Sequence, residues 1–232
     1  MKRFIFFLFV INSSVLFCQS YTYFGNLEVQ YLTRVLTDVP DSKAVLESYY
    51  QNEYERKEVL KKQYLTRTYK PAYVDDFKTL AFLRYNHYSD QMEFVKDQVI
   101  YYLKKEEGRT VRFTSLDKVY KVFKVNGDLE YFQVNIDGKN TLMTKQSSKF
   151  IPAKLPAMSY GNQKPASFER NKDRYFVVFQ NGKIKEVPTK KRTFCQMFGE
   201  YAVHIRKYIE ENKLNIKVVE DIEKVVHFAN EL

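Results

Sequence analysis

The chain has 232 residues, with 38 Lys and Arg against 28 Asp and Glu, a formal charge of +10, and 19 Tyr plus 19 Phe but no Trp. With 44% hydrophobic residues and only 7 Gly and 6 Pro, it is not disordered, collagen-like or disulfide-dense, and it is long enough to bury a core without a metal or disulfide staple.

The first eighteen residues read as a secretory signal peptide. Lys2 and Arg3 form a positive start, Phe4 to Phe17 an apolar stretch interrupted by Asn12, Ser13 and Ser14, and Cys18 and Gln19 follow. Fourteen helical residues span about 21 Å, short of the roughly 30 Å hydrocarbon core, so no transmembrane segment is expected in the mature chain. Acylation of Cys18 is the competing reading, disfavoured because Leu16 and Phe17 stand where small residues are required. Soluble export, with the mature chain starting at Gln19, is the expectation. Cys195 is then the sole cysteine and reads as a buried, inert thiol among Phe194, Met197 and Phe198.

Residues 19–70 form an N-terminal arm. Asp41, Ser42 and Lys43 resemble a helix start ahead of Val45, Leu46, Tyr49, Tyr50 and Tyr54, whereas Val59 to Tyr69 has the aromatic and β-branched content of a strand. Residues 71–188 read as an antiparallel β domain. LAFLRYN, MEFV and QVIYYL are separated by short polar turns, and Asn126-Gly127, Asp137-Gly138 and Asn181-Gly182 each sit between alternating segments, the grammar of type I′ hairpins. In the strand from Asp128 to Ile136, Leu129, Tyr131, Gln133 and Asn135 alternate with Glu130, Phe132, Val134 and Ile136, giving one apolar face and one mixed face. The stretch from Lys149 to Phe168, with Pro152, Pro156, Gly161 and Pro165, reads as a crossing connection between two sub-sheets.

Residues 189–232 change period from 2 to 3.6. A short helix around Lys191 to Phe198 is ended by Gly199; Tyr201, Ala202, Ile205, Tyr208 and Ile209 stripe a second, and Val218, Val219, Ile222, Val225, Val226 and Ala229 a third. The fold class expected is therefore α+β, mainly antiparallel β as a hairpin meander or small sandwich, with a C-terminal segment of two to three helices packed on it.

The charge is uneven: residues 104–192 carry 20 basic and 9 acidic groups, and the segments on either side are slightly acidic. Arg170, Lys172, Arg174, Lys183 and Lys185 are the candidate contacts for an anionic partner, an envelope protein or an anionic envelope component, while export argues against nucleic acid. Lysines decorating solvent-facing and edge positions of the sheet are the favoured explanation of the same excess. The segment 85–94 supplies a candidate ligand-binding loop: Tyr85 and Tyr88 as stacking faces, Asn86, His87 and Asp90 as hydrogen-bonding groups. The same residues have turn-making reasons to be there, and that structural reading is favoured. His204 and His227 flank apolar helix stripes and read as surface groups. Asp75/Asp76 and Glu106/Glu107 point to opposite strand faces and so form no acid–base pair. The sequence carries no metal-ligand, nucleotide-loop or nucleophile-elbow motif, and no cofactor is implied.

Several stretches together, LRYNHYSDQMEF at 83–94, KVYKVF at 118–123, YFQVNIDGKNTLMTK at 131–145, KPASFERNKDRYFV at 164–177 and FGEYAVHIRKYIEENKLNIKVVEDIEKVV near the end, carry a resemblance. The chain resembles, over about residues 70–232, an uncharacterised family of exported proteins of Bacteroidota-type Gram-negative bacteria. The resemblance implies a periplasmic or outer-membrane-associated location and carries over no catalytic residue. The leading expectation is thus a non-enzymatic envelope protein, a binding or scaffolding module. The rivals are a carrier of an apolar or glycolipid ligand held between sheet and helices, and a hydrolase.

Overall fold

The computed structural model describes residues 32–34, 58–96, 99–152 and 165–232; the signal segment and the helix expected near residues 41–54 lie outside them. Thirteen strands are present among the described residues: β1 (Leu32–Arg34), β2 (Lys70–Val74), β3 (Ala81–Asn86), β4 (Gln91–Lys96), β5 (Val99–Leu103), β6 (Thr110–Phe113), β7 (Lys118–Val125), β8 (Asp128–Ile136), β9 (Thr141–Lys145), β10 (Ser148–Ile151), β11 (Ser167–Arg170), β12 (Arg174–Val178) and β13 (Ile184–Glu186). Eleven of them make one antiparallel sheet in the order β1-β5-β4-β3-β2-β6-β7-β8-β9-β12-β13, and β10 pairs with β11 apart from it. The helices follow as α1 (Lys191–Gln196), a 3₁₀ turn (Gly199–Tyr201), α2 (Ala202–Glu211) and α3 (Val219–Glu231). This is the α+β class, with the antiparallel meander and three-helix ending read from periodicity.

The sheet curls. Between β3 and β8 lie four strand steps, about 19 Å in a flat sheet. The rings of Tyr85 on β3 and Tyr131 on β8 nonetheless meet at 6.1 Å, and Tyr85 packs on Tyr120 of β7 at 4.9 Å. The rolled half encloses one apolar cluster, including Leu83, Met92, Phe94, Val111 and Phe113, with the three tyrosines at its centre. Chain segments from outside the meander help close the roll: Leu65 N–H donates to the Tyr85 carbonyl, His87 N–H to that of Gln63, and Ser148 N–H to that of His87.

A second cluster joins the other end of the sheet to the helices. Ile136, Leu142 and Val177 pack directly against Phe194, Ile205, Ile209, Ile222, Val225 and Val226, which the 3.6 period places on single stripes. These side chains fill the layer between sheet and helices, and at its rim Lys139, Asn140, Phe179, Gln180 and Asn181 face Phe198, Tyr201, Ala229 and Leu232 across an open concavity of about 600 Å3. A β-bulge between Val134 and Ile136 makes this packing possible. Upstream of it Phe132 belongs to a cluster with Met143 and Phe176, whereas Ile136 joins the helix cluster. The simple alternation expected along this strand is thus corrected: one inserted step moves Ile136 to the other face.

Two further expectations change. Residues 59–69 are not a strand: residues 58–61 are helical, Tyr64 makes a single bridge to Asn86, and the strand begins at Lys70. Of the three Gly-containing turns, only Asn126-Gly127 has positive φ at both residues, 53° and 100°, as type I′ requires. The β8–β9 connection instead spans residues 137–140, and the Asn140 N–H donates to Asn230 Oδ1 of α3 at 2.7 Å. A Cβ on Gly138 would lie 2.7 Å from Asn230 Nδ2 and would have to displace that amide from the Asn140 carbonyl. In the third turn Gly182 alone has positive φ. Cys195 is free and buried, as expected, and burial raises its thiol pKa. His204 and His227 are exposed.

Candidate functional site

The β3–β4 hairpin tip gathers Tyr85, Asn86, His87, Tyr88 and Asp90, and the side-chain polar atoms of Tyr85, Asn86 and Asp90, with His87 Nδ1, are spent on the protein itself. Asn86 Oδ1 accepts from the backbone N–H of Tyr88 and Ser89 at 3.0 and 3.1 Å, an Asx-type turn, while its Nδ2 donates to Glu93 at 2.9 Å. The Tyr88 ring sits edge-on to Phe168 at 4.9 Å. Asp90, at φ 56°, is a hub: it accepts from the Tyr85 hydroxyl at 2.6 Å and the Tyr131 N–H at 3.2 Å, and pairs with Lys105 at 2.6 Å and Lys145 at 2.8 Å. Burial, followed by the Asp90 charge, drives the Tyr85 phenol well above its ordinary pKa, so it remains a donor.

His87 is 4% exposed, its Nδ1 3.3 Å from the Ser148 hydroxyl. Burial first, then the Arg170 charge, lowers its pKa from 6.5 to about 4, opposed by a hydrogen bond to the Tyr64 backbone and then by the Asp173 charge. The folded protein holds the neutral ring, so His87 contributes stability that is intact above about pH 6.5 and is lost as pH falls toward 4. Chemical denaturation at pH 7 and pH 4.5 should therefore show a loss of about 2 kcal/mol in the wild type that His87→Gln lacks. Equal losses in both proteins would mean that the ring is solvated.

Beside this tip the sheet face that is apolar in both directions becomes polar. Lys118 of β7, Gln133 and Asn135 of β8, and Thr144 of β9 line an open groove of about 360 Å3 with Gln146, Leu65, Arg170, Asp173, Tyr175 and Val219. Antiparallel register sets this, since Tyr120 faces Gln133 and Gln133 faces Thr144, which faces Tyr175 in turn. The floor is cross-linked. Lys118 Nζ and Gln146 Nε2 both donate to Gln133 Oε1, at 2.7 and 3.1 Å, and the Tyr120 hydroxyl donates to Gln146 Oε1 at 2.7 Å. Thr144 donates to Asn135 Oδ1 at 2.6 Å, and Asn135 Nδ2 to Glu223 at 3.0 Å. At the rim, Arg170 Nη2 holds both Asp173 oxygens, at 2.9 and 3.1 Å. Lys118 is half-buried and, among the described residues, within salt-bridge distance of no carboxylate. Burial, then Arg170, lowers its pKa.

The five basic candidates do not form one patch. Arg170 lines the groove; Lys172 and Arg174 line a smaller pocket of about 190 Å3 with Glu186 and Lys217. Arg174 is held by Glu186 in a two-point ion pair at 2.8 and 2.6 Å. Lys183 and Lys185 belong to the β12–β13 hairpin, where Lys185 Nζ sits 5.4 Å from the Phe179 ring centre. Sequence reading missed Lys118, Gln133, Thr144, Gln146 and Tyr175. The signal was there in Gln133 and Asn135, two amides spaced by two on a strand face that otherwise carries Leu129 and Tyr131. Among the described residues no group of three or more His, Cys, Asp or Glu could hold a metal, and no helix is long and apolar enough to cross a membrane. Comparison with family models, with curated proteins and with solved structures finds no match to this chain.

Proposed function

We propose that this protein is an exported, non-enzymatic binding module of the Gram-negative cell envelope, retained in the periplasm, with the polar groove as its ligand seat. One observation carries the reading: Lys118, Gln133, Thr144, Gln146, Arg170 and Tyr175 converge on an open space of about 360 Å3, in a sheet face whose neighbouring parts are closed by apolar packing. Small-molecule seats occupy roughly 300–1,000 Å3 and set a few convergent polar groups in an otherwise packed wall. The signal-like start and the resemblance to exported proteins support the location. The packed apolar layer between sheet and helices, with an open rim that carries Lys139, Asn140, Gln180 and Asn181, favours this reading over a lipid carrier. Its partner is accordingly an anionic envelope component rather than a nucleic acid.

The test is a two-dimensional NMR titration of the mature chain with soluble peptidoglycan fragments and with the delipidated glycan of the envelope glycolipid. Shifts are expected at the amides of Lys118, Gln133, Thr144 and Tyr175. Shifts confined to other regions, or none, would remove the groove from consideration. Recovery of the protein in the medium on cell fractionation would overturn retention.

A further inference from the structure

Resting on the reading of the groove as a ligand seat, we infer that its ligand is an anionic saccharide, a hydroxylated ring bearing one carboxylate or phosphate, bound with the anionic group against Lys118 and Arg170.

Hydrogen-bonding capacity in the groove is one-sided. Lysine only donates, so the Gln133 oxygen must face Lys118, which turns the Gln133 Nε2 hydrogens toward other partners. Gln133 Oε1 is taken by Lys118 and Gln146, Gln146 Oε1 by Tyr120, and Asn135 Oδ1 by Thr144. The amide acceptors of the floor are thus consumed internally. What remains without a partner among the described residues is mainly donors: two Lys118 N–H, the Gln133 Nε2 group, Arg170 Nε and Nη1, and the Tyr175 hydroxyl. Such a set fits a ligand that brings acceptors.

Charge separates the two ends. Lys118 and Arg170 line the same groove, where the Arg170 charge disfavours that of Lys118, and Asp173 is the acid among the lining residues. An anion between them relieves that repulsion and pairs a desolvated ammonium, an interaction stronger than a neutral hydrogen bond. Toward α3 the sign reverses. The Tyr175 phenol pKa is raised by burial first and then by Asp173, Glu220 and Glu223, and Glu223 is held by Asn135. Sugar hydroxyls donate to carboxylates, so a ring with its anion at the Lys118 end presents hydroxyls to the acidic end. A bare inorganic anion leaves that second end unused, and a neutral sugar leaves Lys118 unpaired.

Isothermal titration calorimetry, paired with amide shifts, should compare glucuronate, glucose 6-phosphate, glucose, acetate and inorganic phosphate on the mature chain. Glucuronate or glucose 6-phosphate should bind at least tenfold more tightly than glucose and than the small anions, with shifts at Lys118, Gln133 and Tyr175. The two acidic sugars distinguish carboxylate from phosphate. Lys118→Met should abolish the preference; Arg170→Gln, at an exposed position, provides a second variant if the first perturbs folding; Lys183→Gln should retain it. Glucose binding the groove as tightly as the acidic sugars would overturn the anionic class while leaving the seat in place. Acetate or phosphate binding equally well would overturn the saccharide. Silence at the groove with all five probes, and with the peptidoglycan fragments as well, would remove both the ligand class and the seat.

Discussion

Asp90→Asn is expected to lower the unfolding free energy by about 3 kcal/mol, read from urea denaturation followed by tyrosine fluorescence. Asparagine preserves the shape and tolerates the left-handed backbone at φ 56°, so the substitution isolates the charge. That charge faces two ammonium groups, on Lys105 and Lys145, whose side chains are 17% and 9% exposed. Lys145 retains Glu130 at 2.8 Å, but Lys105 loses the one acid within salt-bridge distance among the described residues. Desolvated cations without a counter-ion are expensive, and the Tyr85 hydroxyl and Tyr131 N–H are left with a weaker acceptor. Lys105→Met in the Asp90→Asn background should recover part of the loss, because the two sites share one interaction. A loss under about 1 kcal/mol would show the hub to be solvated and dispensable.

Phe194→Ala should cost about 3–4 kcal/mol. The ring is fully buried, edge-on to Phe198 at 5.5 Å, and belongs to the cluster that joins α1 and α2 to Ile136, Leu142 and Val177 of the sheet. Its site is walled by side chains from several elements, which limits how far the void can collapse. Hydrogen exchange should show the cost first in α2 and α3, before the strands of the rolled half. If the strands lose protection together with the helices, the ring supports the whole sheet; a cost under about 1 kcal/mol would mean that the helices dock without it.

The hairpin order and the helical ending were legible because local chemistry decides them. At Asn126-Gly127 the dipeptide alone determines the turn, and both residues adopt positive φ. Asp137-Gly138 has the same grammar, yet its loop is shaped by Asn230, 90 positions away from Asn140, and no local rule anticipates that. Residues 59–69 carry strand-like aromatics for a tertiary reason. Tyr64 and Tyr69 enclose the Arg84 guanidinium at 3.5 and 4.5 Å from their ring centres, with Glu93 bound to it at 2.8 Å. At the tip from Tyr85 to Asp90, Asn86 makes the side-chain-to-backbone turn that its residue type favours. The groove was hidden because its lining comes from β7, β8, β9 and the β11–β12 link, which adjoin only through the sheet order. Basic residues close in sequence, Arg170, Lys172 and Arg174, instead divide between two concavities.

The bulge in β8 has a consequence for how the molecule comes apart. Because that strand contributes Tyr131 to the rolled half and Ile136 to the helix-bearing half, the two clusters share a continuous ladder rather than a linker. Loosening either one strains the register of the other, so thermal unfolding should follow a single transition by both near-ultraviolet tyrosine signal and helical ellipticity. Deleting Asn135, the inserted residue, would leave Ile136 opposite Leu142 in unbroken alternation, so the two clusters should still unfold as one cooperative unit.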